Sequence, residues 1–277
     1  MEAAHQANGE EPPPPYEERP PPRLPVPNKS TQQVPAPLPA PASAPQQAGR
    51  STAPQVNRQF PPTFNLYRKG GFSRIHTLGV HQDQPLYAVY PHGGFSSEPD
   101  LVLHNGPSET SPPLATLIFD SWHRQMEVTL PPLRGATSEE AVRMPGFAHP
   151  VFEFKVHVNK PGGQGLVYEA FEWRRSRGDA VGQLGGRSYG WKLVRLANNV
   201  LPGAGGGEIT SDGREVLAVC TQNAYSMSKV WKFEFTGTGA SGALGERFAV
   251  MAVITSLGIW LRESRRKNSS ASSGGSA

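Results

Sequence analysis

The chain has 277 residues, a formal net charge of +4, 29 prolines, 30 glycines and one cysteine. One cysteine excludes an intrachain disulfide and a structural zinc site, and fits a reducing, intracellular compartment. The small positive balance permits an anionic partner without demanding one, and nucleic acid is not expected.

Residues 1–62 hold 17 of the 29 prolines and five bases against five acids, so the net charge resides in residues 63–277. Poor in large apolar residues and without periodicity, this proline-rich segment cannot bury enough surface to offset its ordering entropy. It is expected to be a disordered tail with polyproline II bias. Its acidic, polar start does not read as a signal or transit peptide. Pro13-Pro14-Pro15-Tyr16 matches the Pro-Pro-x-Tyr motif of WW-domain ligands, with Pro13, Pro14 and Tyr16 as the contacting residues. Arg19, Pro22 and Pro25 stand at the spacing of an SH3-domain ligand, Arg-x-x-Pro-x-x-Pro. Proline-rich spacers also produce such strings by composition alone.

From Thr63 the chain reads as short β runs between turn signals. The runs are 63–68, 86–90, 101–104, 114–119, 126–130, 151–158, 167–173, 191–196, 215–221 and 229–235. Run 126–130 is expected to stop at Pro131-Pro132, and run 167–173 at a turn containing Arg174, Arg175 and Arg177. Phe152, Phe154, Val156 and Val158 alternate with polar neighbours, and Trp231, Phe233 and Phe235 do the same; each such strand has one dry face. No long amphipathic helix interrupts the series, which points to antiparallel β.

Phe248–Leu261 is fourteen residues without a charge, and includes Phe248, Val250, Met251, Ile254, Leu257 and Trp260. Glu246 before it and Arg262–Lys267 after it suit a helix dipole, which places a helix at about 246–264. Apolar on all sides, it must be surrounded. At 1.5 Å per residue it spans roughly 21 Å, short of the roughly 30 Å of a bilayer core. The container the sequence offers is the set of strands. The expected fold is mainly β: a closed antiparallel barrel of about twelve strands around a central C-terminal helix. The domain is placed at 63–267, followed by a disordered Ser/Gly tail at 268–277.

Phe64-Asn65-Leu66-Tyr67-Arg68, Tyr168-Glu169-Ala170-Phe171-Glu172-Trp173-Arg174, Gly190-Trp191-Lys192-Leu193-Val194-Arg195 and the apolar 249–260 helix together resemble the tubby C-terminal-like superfamily. That group includes tubby proteins, LURP-one-related proteins and phospholipid scramblases. The resemblance covers 63–267. It implies a twelve-strand barrel around its C-terminal helix. It further implies phosphoinositide binding in the manner of tubby proteins, or a lipid- and calcium-linked role in the manner of scramblases. No motif aligns closely enough to carry over the tubby headgroup residues individually.

Gly237-Thr238-Gly239-Ala240-Ser241-Gly242 is formally a dinucleotide-binding string, but no second parallel strand comes after it to complete a βαβ unit. It reads as a flexible loop turning the chain into the helix. Tyr225 and Lys229 have a dehydrogenase spacing but fall between β runs. No triad, metal set or EF-hand loop is legible, so an enzyme, a cofactor and a metal site are not expected. Basic clusters remain: Arg68, Lys69 and Arg74; Arg174, Arg175 and Arg177; and Arg265, Arg266 and Lys267 at the helix end. The first six are the candidate headgroup residues. The expectation is a non-enzymatic, cytoplasmic barrel, peripheral at the inner membrane surface, that binds anionic phospholipid (phosphoinositide) headgroups or acts as a membrane-proximal adaptor. Its tail would recruit a WW-domain protein such as a ubiquitin ligase. The alternative is a scramblase-like protein that inserts its C-terminal helix into the bilayer.

Overall fold

A computed structural model describes residues 60–273 apart from 71–72, 94–95, 121–123, 134–135, 146–149, 161–164, 198–206 and 224–225. The WW- and SH3-ligand motifs and Tyr225 lie outside the described residues.

Twelve strands form the wall: β1 Thr63–Arg68, β2 His76–Gly79, β3 Tyr87–Pro91, β4 Leu101–His104, β5 Pro113–Phe119, β6 Gln125–Leu133, β7 Ala136–Arg143, β8 Val151–Asn159, β9 Leu166–Ser176, β10 Gly190–Arg195, β11 Val216–Gln222 and β12 Lys229–Phe235. Each pairs antiparallel with its sequence neighbours, and β1 pairs with β12, so the barrel closes and no strand is left as an edge. A short helix α1 (Asp179–Gln183) joins β9 to β10. After β12 come α2 (Gly237–Ser241) and the long α3 (Glu246–Ser273).

The alternating strands turn their dry faces inward. Phe64 stacks on Phe233 at 4.9 Å, and Phe171 meets Phe248 of α3 at 5.0 Å. Val250–Leu261 of α3 is buried throughout. A helix about 10 Å wide fits within a wall of this many strands. Each large apolar side chain that it buries contributes about 1.5–3 kcal/mol before entropy. The helix's two central hydroxyls are satisfied inside the barrel. Trp173 Nε1 donates to Thr255 Oγ1 at 2.9 Å, Thr255 donates to the Met251 carbonyl at 2.7 Å, and Ser256 donates to the Val253 carbonyl at 2.8 Å. Among the described residues no helix is long and apolar enough to cross a membrane. Bilayer insertion of Phe248–Leu261 would first require these side chains to leave the barrel.

Several boundaries differ from those expected of the sequence. β6 runs through Pro131-Pro132 to Leu133, because a register shift between Leu130 and Leu133 takes up residues that donate no N–H. β9 extends to Ser176, so Arg174 and Arg175 lie in a strand and face opposite sides rather than sharing a turn. α3 continues past 264 to Ser273, and 268–273 are therefore helical rather than tail. The domain also begins before Thr63: Phe60 is 3% exposed and packs on Tyr87 at 4.7 Å. The Gly237–Gly242 string is ordered. A Cβ on Gly239 would collide with the Leu217 carbonyl oxygen, so glycine there permits close packing of α2 on β11.

Among the described residues, the β7–β8 ladder pairs Arg143 with Glu153. Farther along β7, side chains link it to β9 and α3. Buried Glu140 of β7 accepts from Tyr168 Oη and Ser138 Oγ, each at 2.8 Å, and Arg247 Nη2 lies 3.5 Å away. Burial, and then the bond to Glu140, push the Tyr168 hydroxyl up to about 12.

Candidate anion-binding mouth

Strand direction decides which loops share a rim. β1 and β9 run the same way, so Arg68 and Ser176 end at one rim. α3 starts at the opposite rim, where the Leu244 carbonyl accepts from Asn159 N at 3.1 Å. It leaves at the rim of Arg68 and Ser176, where Glu263 meets Trp191 at the start of β10. The apolar run has ended there, and the last turns of α3 bring Glu263, Arg265, Arg266 and Lys267 into the mouth.

Arg175 is the pivot of that mouth. Opposite Trp191 in the ladder, its guanidinium lies 5.0 Å from the Tyr189 ring and 5.7 Å from the Trp191 ring. Glu263 sits below it. Its carboxylate accepts from Trp191 Nε1 at 3.0 Å and Gln222 Nε2 at 2.9 Å, with Arg175 Nη2 at 3.7 Å. Lys267 Nζ in turn donates to Gln222 Oε1. Two hollows adjoin at Arg175 and Tyr189. One, of about 410 Å³, is also lined by Ser176 and Arg177. The other, of about 300 Å³, is also lined by Glu263, Arg266, Lys267 and Ser270. Arg177 and Arg266–Ser270 are exposed. Four cations and the hydroxyl-bearing Ser176, Tyr189 and Ser270 thus line the two hollows, together with a single acid whose oxygens already have donors. An anion with several acceptor oxygens matches this arrangement, with Arg supplying planar donor pairs.

The other candidate bases divide. Arg68, Lys69 and Arg74 are exposed around the β1–β2 turn at the same rim. β1 and β9 are four neighbours apart around the wall, or roughly 19 Å at about 4.8 Å per strand. That exceeds the roughly 8 Å screening length, so the two clusters are separate charges on one face rather than one site. Arg174 points outward and is held by Glu172 and Asp212, which removes it from the mouth. The Thr210 hydroxyl, and then Arg174, hold the Asp212 carboxyl well below the usual carboxylate range. Arg265 is likewise engaged: it donates to Asp100 Oδ1 at 2.7 Å and to the His92 carbonyl at 2.8 Å.

Tyr189, Gln222 and Glu263 were not found by sequence reasoning. Glu263 had a signal: it stands three residues after Trp260 and four before Lys267, one continuous helical stripe. Tyr189 and Gln222 had none, because only the β9–β10–β11 pairing brings them beside α3. Cys220 is fully buried, and burial pushes its thiol well up, away from reactivity.

Comparison with protein-family models, curated proteins and solved structures finds no match.

Proposed function

We propose that this chain is a non-enzymatic barrel that binds anionic phospholipid headgroups, phosphoinositides foremost, through the rim from which α3 emerges. The observation that carries this reading is the convergence of Arg175, Arg177, Arg266 and Lys267 on one pair of adjoining hollows. Arg68, Lys69 and Arg74 on the same rim support it, since they would meet the same anionic surface. The closed barrel around its C-terminal helix is also the architecture that the resemblance to the tubby C-terminal-like superfamily implies. Binding at this rim would hold the protein peripherally at the inner membrane surface.

Vesicle sedimentation tests the reading. Phosphoinositide-containing vesicles should carry the protein down and neutral phosphatidylcholine vesicles should not. Each basic residue near such a surface contributes about 1 kcal/mol, so Arg177→Ala with Arg266→Ala should weaken binding about thirtyfold. Arg174→Ala, on the outer face, should leave it unchanged. Equal, negligible sedimentation with both vesicle types would overturn the reading.

The tail supplies the second half of the proposal. Pro13, Pro14 and Tyr16 recruit a WW-domain protein to the membrane-bound barrel. Tyr16→Ala should abolish capture by WW domains, and undiminished capture would reject the motif.

A further inference from the structure

The last turns of α3 carry a feature that headgroup binding does not use. Arg266 and Lys267 stand three and two residues before Ser269, and no other serine or threonine in the chain has bases at both of those positions. Protein kinases with acidic subsites upstream of their phosphoacceptor select this pattern by charge. The structure adds a position. Ser269 and Ser270 are exposed, and each hydroxyl donates to the Arg266 carbonyl at 2.9 Å. Ser270 lines the same hollow as Arg175, Arg266 and Lys267.

We propose that Ser269 and Ser270 are phosphoacceptors for a basophilic protein kinase, and that the added phosphate is captured by Arg175, Arg266 and Lys267 and so excludes other anions from the mouth. The γ-phosphoryl group of ATP passes to serine Oγ. The new Oγ–P bond forms as the bond to the bridging oxygen breaks, ADP leaves, and the hydroxyl proton goes to the kinase's base. A dianion at a helix C-terminus is repelled by the macrodipole, which loosens this exposed end. On the intact helix Ser269 lies one turn from Arg265 and Arg266, and Ser270 one turn from Arg266 and Lys267, so the cations are within reach. Tethered this closely, the phosphate acts at an effective concentration in the millimolar range, enough to displace a headgroup held by the same side chains. The displacement rests on the headgroup reading, whereas the capture does not.

The test uses the full chain treated with a basophilic serine kinase and ATP. Peptide mapping should place the phosphate on Ser269 or Ser270, and the double variant Ser269→Ala, Ser270→Ala should lose it. Modification confined to other residues overturns the proposal. In a phosphorus NMR titration, a captured phosphoserine should lose its second proton about one pH unit below the free-peptide value of about 6. Arg175→Ala should return it toward that value. Titration at about 6 in both proteins overturns capture. On phosphoinositide vesicles, phosphorylation should weaken sedimentation at least tenfold. Equal sedimentation of modified and unmodified protein overturns the switch and leaves headgroup binding standing. Should the unmodified protein fail to sediment, headgroup binding falls, and the phosphorus titration still decides the capture.

Discussion

At the scale of single residues, several interior polar groups have the cost of burial offset by a partner or by neutrality, whereas buried Trp231 Nε1 and Asn65 Oδ1 have no hydrogen-bond partner. Thr255 accepts the Trp173 indole N–H, and Glu140 is met by Tyr168, Ser138 and Arg247. His76 shows the other solution. It lies at the same rim, beside the β1–β2 turn, with its ring 4.8 Å from Trp260 and its Nδ1 2.9 Å from the Arg74 carbonyl. Burial drives its pKa down to about 4; the Arg74 bond opposes that shift and the Arg68 charge adds to it. Between about pH 6.5 and 4 the unfolded chain takes up a proton that the folded chain refuses, so stability falls as pH falls through this window. The loss reaches on the order of 3 kcal/mol at pH 4. Chemical denaturation across this range should show that extra loss in the wild type and not in His76→Phe, which cannot titrate. Parallel curves for the two proteins would show that His76 is protonated without cost in the fold.

At the scale of elements, α3 is the part on which the others close. Its burial means that a charge placed on it has no route to water. Ile254→Asp and Gly258→Arg should therefore collapse the whole domain, with losses above about 4 kcal/mol, rather than fray the C-terminus. Gly258 leaves no space in any case, since even a Cβ would press on Leu117 and Met126. A wild-type melting temperature in either variant would show that the helix is not central. Strand legibility has the same physical origin. β8 and β12 are readable because their inward residues are aromatic or branched and their outward ones charged. β2 is four residues, His-Thr-Leu-Gly, too short for alternation to show. β7 reads Ala-Thr-Ser-Glu-Glu-Ala-Val-Arg, a composition that favours helix, and its inward-facing Glu140 breaks the apolar pattern. Ladder pairing with β6 overrides that local preference.

At the scale of the whole molecule, the core of the domain extends to Phe60. That residue lies beyond the proline-rich boundary but packs with Phe64 and Tyr87 against the core. Phe60→Ala should cost about 3–5 kcal/mol in denaturant unfolding. A chain shortened to begin at Thr63 should lose at least as much; full stability in both would return the boundary to 62. By itself, the sequence determined ten of the twelve antiparallel strands, the length and apolarity of the helix, and the need for a container around it. These come from periodicity and from the cost of exposing fourteen uncharged residues. Only the tertiary structure decided which bases act together. Arg174 and Arg175 are neighbours in sequence, yet the period of two in β9 sends one outward to Glu172 and Asp212 and the other into the mouth. Arg175 and Lys267 are far apart in sequence, and they meet because the barrel wraps α3 and releases its basic end at the rim where β9 stops. An apolar helix specifies that it is enclosed. Which rim its charged end emerges from, and beside which strands, depends on closure of the wall around it.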